Sequence, residues 1–216
     1  MSLGLSTGST PRSVKGLARD VLAFIDALDL TEIDLFGFSL GGFVAQETVL
    51  LRPRLVRRLI LASTGPEGGH GFHAWSEEIT SHAYKDVLGA EDVFYLFFAP
   101  TETSQAKAKE FVGRIFTRGR DRDQEPTLAV RDAQAEAIAD WSIPDMTKLS
   151  RLAAITQPTL IASGNNDILV PAVNSYLLAG HMPDARLITY PDANHGFLFQ
   201  YPQEFAAEVS DFVGAA

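Results

Sequence analysis

Apolar positions divide the chain into alternating elements. Val14, Leu17, Val21, Phe24, Ile25 and Leu28 recur at helical spacing and predict a helix over 13–29. Thr10 or Ser13 suits its N-cap, with Pro11 near the first turn. Ile33-Asp34-Leu35-Phe36 is a short, largely apolar run, and a strand is expected over 33–38. The stretch from Phe43 to Leu51 is helix-compatible and stops before Pro53. Val56 to Ala62 reads as a buried strand, and the Gly- and Pro-containing stretch 63–69 as a loop. From about 73 to 154 the pattern is helical throughout. Segments near 74–88, 91–99, 104–118, 127–141 and 147–154 are separated by Gly, Pro or Asp-rich breaks. A strand over 158–163, a helix over 172–182, a strand over 185–190 and a last helix over 205–213 complete the chain.

Strand–helix alternation with apolar strands implies a parallel sheet of about four strands covered on both faces. The helical block interrupts that rhythm. The expected division is therefore an α/β core from 1–72 and 155–216, with 73–154 as an inserted helical cap. Residues 1–10 are small and polar and read as a loop. Gly4 to Gly8 lacks the Gly-Lys-Ser/Thr ending that a phosphate loop needs.

Composition narrows the function classes. The formal charge of −9 opposes nucleic acid or an anionic membrane as partner. With no cysteine, disulfides, thiolate metal sites and cysteine nucleophiles are excluded. No run of about 18 apolar residues is present. No signal peptide is visible at the N-terminus, so a cytoplasmic location is expected.

The candidate chemistry starts at Gly37-Phe38-Ser39-Leu40-Gly41. Gly-x-Ser-x-Gly between a strand and a helix is the form of a nucleophile elbow, in which a serine sits on a strained turn. Gly37 and Gly41 are expected to flank the turn because a Cβ at either place would meet neighbouring backbone. A serine hydroxyl needs a base, usually a histidine held by a carboxylate. In a doubly wound sheet such groups collect after the carboxyl ends of strands. Asp167 follows the strand at 158–163, and His195 follows the strand at 185–190. The chain order Ser39, Asp167, His195 is that of an α/β-hydrolase triad.

Each residue also has a plainer reading. Ser39 can be an ordinary turn serine and Asp167 a turn cap. Asp140 and Asp145 are rival carboxylates. His181, at a helix end, suits the helix dipole. His70 and His73 form H-x-x-H without the context of a metal site. Phe94, Tyr95, Phe97 and Phe98 fit either an acyl pocket or packing of the cap on the sheet. The charged stretch 118–125 reads as solvated surface.

The stretches GFSLGG around Ser39, SGNNDILVP around Asp167 and DANHGFLFQYP around His195 resemble the α/β-hydrolase superfamily, in particular its esterase, haloperoxidase and C–C hydrolase branches. The resemblance covers nearly the whole chain. It implies Ser39 as nucleophile, His195 as general base, Asp167 as its orienting carboxylate and the Leu40 N–H as an oxyanion donor. The implied activity is cofactor-free hydrolysis of a small ester through an acyl-serine. The alternatives are a cofactor-free haloperoxidase or perhydrolase, a C–C hydrolase, and a non-catalytic remnant. Members of the family usually carry four more strands ahead of the helix at 13–29, with a His-Gly turn that supplies a second oxyanion donor. Ser2-Leu3-Gly4-Leu5-Ser6 resembles the tail of a Gly-x-Gly-x-Ser segment from that region. The expectation is a front-truncated hydrolase with weakened turnover. Its strand at 33–37 would then have an unpaired edge, which invites a homodimer through that strand and the helix at 13–29.

Overall fold

The computed structural model describes residues 6, 8–115, 117, 119–120 and 126–214. The segment 2–5 and most of the charged stretch 118–125 lie outside the described residues. Helix α1 (Val14–Ala27) starts at Ser13, whose Oγ accepts from the Gly16 N–H at 3.2 Å. Strand β1 (Ile33–Phe38) leads through Ser39 directly into helix α2 (Leu40–Leu51). That helix begins three residues earlier than the sequence pattern suggested, because the elbow leaves no linker between strand and helix. Strand β2 (Val56–Ala62) follows.

Between β2 and the next strand come helices α3 (Glu77–Ala83), α4 (Ala90–Phe97), α5 (Glu102–Ile115) and α6 (Leu128–Trp141). The segment expected at 147–154 is 3₁₀ rather than α, spanning Met146–Ala154, with the Asp145 side chain as its cap. Strand β3 (Thr159–Gly164), helix α7 (Val173–His181), strand β4 (Ala185–Tyr190) and helix α9 (Pro202–Gly214) match the expected rhythm. A short helix α8 (Phe197–Gln200) has no signature in the sequence pattern.

The four strands form one parallel sheet in the order β1-β2-β3-β4. Alternation along the strands sends side chains to opposite faces. Leu59, Leu61 and Ile161 pack with Ala45 and Val49 of α2 and with Leu178 of α7. Ile60, Ala62, Leu160 and Ala162 face the other way, against Phe197 of α8 and Phe205 of α9. Both faces are therefore covered, as a parallel sheet requires. A third cluster joins Val14 and Leu17 of α1, Phe43 of α2 and Trp141 of α6, with the Phe43 and Trp141 rings stacked 5.5 Å apart. That cluster holds α6 over the amino end of α2, and so over Ser39. Because all four strands are parallel, the loops after β1, β3 and β4 meet at one end of the sheet.

Candidate active site

The loop after β1 is shaped by steric exclusion. A Cβ on Gly37 would lie 2.4 Å from the carbonyl oxygen of Gly41, so strand and helix can approach this closely only without a side chain there. Gly41 differs from expectation: no heavy atom lies within 4 Å of its would-be Cβ. The second tight place is Gly42, where a Cβ would meet Thr64 Oγ1 at 2.4 Å. Helix α2 turns away from β1 at once, so its next residue, not Gly41, presses on the loop after β2. Ser39 itself has φ 53° and ψ −123°, a region that non-glycine residues seldom occupy. The surroundings hold it there. Its N–H donates to Ala62 O at 2.9 Å, and Thr64 Oγ1 donates to its carbonyl at 2.8 Å. The strained turn lifts the Ser39 side chain out of the sheet and leaves it half-exposed.

Asp167 and His195 arrive from the loops after β3 and β4. These loops touch along their backbones. Asn166 N–H donates to Ala193 O at 2.8 Å, and a Cβ on Gly164 would lie 2.4 Å from the carbonyl oxygens of Ala193 and Asn194. Asp167 Oδ1 accepts the N–H groups of Leu169 and Val170, each at 2.9 Å. Its Oδ2 faces His195 Nδ1 at 2.9 Å, and both side chains are buried. On the other side of the ring, His195 Nε2 stands 2.9 Å from Ser39 Oγ. A carboxylate is an acceptor only, so the proton sits on Nδ1. Nε2 is then the free acceptor and the Ser39 O–H donates to it. Three residues brought together from three loops thus form one line of hydrogen bonds, from carboxylate to imidazole to hydroxyl. Such a line can draw the proton from the hydroxyl as its oxygen attacks an electrophile.

The surroundings of His195 include residues with no evident signal in the sequence. Ser63 Oγ donates to the His195 carbonyl at 2.8 Å. Phe38 and Phe97 pack on the ring, with centroids 5.0 and 5.5 Å away. Asn194 is buried, and its amide joins three parts of the fold. Oδ1 accepts the N–H groups of Ile168 and His195, each at 2.8 Å, and Nδ2 donates to Tyr95 O and Phe98 O at 3.2 and 3.4 Å. The only hint in the chain was its place directly before His195.

The rival residues lie elsewhere. Asp145 caps the 3₁₀ segment, with Thr147 holding its carboxyl below the usual range through side-chain and backbone hydrogen bonds. Asp140 lines a groove with Glu67 and Arg151. His181 Nδ1 contacts Leu177 O in the last turn of α7, and His73 Nδ1 contacts Ala139 O. His70 meets Asn174 through its backbone. Among the described residues no group of three or more His, Asp or Glu could hold a metal ion. The four aromatics divide. Phe97 touches His195, while Phe94, Tyr95 and Phe98 line a cavity of about 690 Å³ beside Asn194.

At the start of α4, Asp92 is buried and bound by His82 of α3 and by Lys85 and the Gly89 N–H of the segment between the two helices. Burial alone would raise its carboxyl. The Lys85, Gly89 and His82 bonds outweigh that and hold it at about 2.

Comparison with known proteins agrees with this fold. The family model for the alpha/beta hydrolase fold matches residues 4–202. An alpha/beta hydrolase fold protein from Chitinophaga pinensis superposes with a TM-score of 0.92 at 33% identity, over 100% of this chain and 77% of that one. The poly(3-hydroxyalkanoate) depolymerase of Ectopseudomonas oleovorans is 27% identical over 97% of this chain and 71% of its own length. The pimeloyl-[acyl-carrier protein] methyl ester esterase of Nitrosomonas europaea is 26% identical over 89% of this chain and 79% of its own.

Proposed function

The chain belongs to the alpha/beta hydrolase fold family, and from that premise we propose that it is a serine hydrolase that cleaves a small ester through an acyl-serine intermediate. The unbroken line Asp167–His195–Ser39 carries this reading. Ser39 Oγ attacks the ester carbonyl while its proton passes to His195 Nε2. Asp167 keeps Nδ1–H aimed and stabilises the imidazolium that forms. The oxyanion of the tetrahedral intermediate meets the N–H of Leu40, at the positive end of α2. His195 then protonates the leaving alcohol, and a water activated by the same imidazole releases the acid. Every step uses groups of this chain, so the reaction takes no cofactor. In this reading α3 to α6 form a cap, and Phe97 packs edge-on against the His195 ring. The similarity to two curated ester-cleaving relatives supports an ester as substrate class.

The test is labelling with a fluorophosphonate, which traps an activated serine whatever the natural substrate. Labelling is expected at Ser39, as located by peptide mass spectrometry, together with turnover of short p-nitrophenyl esters. A folded protein that neither labels nor turns over would defeat the reading.

A further inference from the structure

A cavity of about 390 Å³ opens onto Ser39. Leu17 and Val21 of α1, Phe38, and Val44 of α2 give it apolar walls, and Gln134 of α6 lines it as well. His195 is not among the residues that line it. A leaving-group oxygen must come within reach of His195 Nε2 to be protonated. The cavity on the Ser39 side is therefore left for the acyl group.

Apart from Ser39, Gln134 brings the polar side chain to this space. It is half-buried, and its amide makes no hydrogen bond to any described residue. Its helix neighbours Ala133, Ala137 and Trp141 are buried, so α6 cannot rotate Gln134 outward without exposing them. When an acyl chain fills the cavity, water leaves the amide. A polar group stripped of water without a new partner costs free energy. A substrate oxygen on the acyl chain removes that cost, whereas a plain alkyl chain does not. The apolar walls oppose a charged substituent.

We infer that Gln134 is a specificity-determining residue whose amide hydrogen-bonds a neutral oxygen on the acyl chain, so that the substrates are esters of alkoxy-, hydroxy- or oxo-substituted acids rather than of simple fatty acids. The inference rests on the acyl-serine reading.

The experiment compares kcat/KM for p-nitrophenyl methoxyacetate and p-nitrophenyl butyrate, which differ by one O for CH2. It does so in the wild type and in Gln134→Met. Intrinsic reactivity cancels in the ratio of ratios. One neutral hydrogen bond corresponds to about a tenfold effect. The methoxyacetate preference is expected to fall about tenfold in the variant, mainly through KM. A preference unchanged within about twofold overturns the inference. If circular dichroism shows that Gln134→Met does not fold, Gln134→Glu decides the matter, since a carboxylate cannot donate to an ether oxygen and the same loss must appear. Fluorophosphonate labelling of the wild type separates the two claims. Labelling with an unchanged preference overturns only the role of Gln134, and absence of labelling takes down both.

Discussion

Ser39 Oγ and His195 Nε2 stand 2.9 Å apart although 156 positions separate them in the chain. This contact exists only because β1 and β4 are parallel members of one sheet and deliver their following loops to the same end. In the proposed mechanism Ser39→Ala removes the attacking oxygen, and no other nucleophile occupies that place. Hydrolysis of p-nitrophenyl esters and fluorophosphonate labelling are both expected to vanish in a protein whose thermal melting is close to wild type. Turnover equal to the parent's would rule out Ser39 as the nucleophile.

Gly37 and Gly41 flank the same serine, yet alanine should act oppositely at the two. Gly37→Ala places a Cβ against the Gly41 backbone at 2.4 Å and is expected to lower stability by more than about 2 kcal/mol. Gly41 sits in α2 with open space around it. Gly41→Ala is expected to gain roughly 0.5–1 kcal/mol from helix propensity. Denaturant titration of the two variants reads both signs.

Asn194 holds the backbones of Ile168 and His195 and the end of α4 together. Asn194→Ala leaves those buried groups without a partner and is expected to cost about 1–3 kcal/mol in stability and to lower kcat. Asn194→Asp keeps the acceptor oxygen for Ile168 and His195 but sets its second oxygen against the Tyr95 and Phe98 carbonyls, so it is expected to destabilise as well. Denaturant titration and p-nitrophenyl ester kinetics of the two variants measure both effects.

Asp92 predicts a specific acid response. Its carboxyl is held at about 2 in the folded chain, below the ordinary 3.8. A carboxyl with a depressed folded pKa contributes stability that is complete above its unfolded value and is lost as pH falls through the folded value. The contribution should therefore fade between about pH 4 and pH 2. In Asp92→Asn the melting temperature is expected to be lower at neutral pH, and this part of its decline between pH 4 and pH 2 should be absent. Calorimetry across that range measures the difference.

Among the described residues strand β1 is at the edge of the sheet. The N–H groups of Ile33 and Ser39 bond toward β2, so by alternation the backbone groups of Asp34, Phe36 and Phe38 point outward. Phe36 on this edge is 47% exposed, and Phe24 of the neighbouring α1 is 60% exposed. We propose that a second copy of the chain pairs here about a two-fold axis. Light scattering is expected to give twice the 23.5 kDa chain mass. Phe36→Lys should return it to the single mass, and a wild-type monomer at micromolar concentration would count against the pairing.

The four strands, most of the helices, the parallel sheet and the places of Ser39, Asp167 and His195 in loops after strands were legible in the sequence because each depends on local signals. Apolar periodicity marks Val14 to Leu28 as one helix face, and glycine or turn residues end each strand where a loop can carry chemistry. What depends on distant partners was not legible. No local pattern distinguishes Gly41, which is open, from Gly42, which presses on Thr64 of another loop. Nor does any mark Asn194 as the link between the loops after β3 and β4 and α4, or Gln134 as a residue that lines one cavity with Ser39. Even the bond from His195 to Asp167 rather than to Asp140 or Asp145 is decided by packing. Periodicity reports which side of an element is buried. Only the closing of the sheet and the docking of α6 on α1 and α2 determine what that side meets.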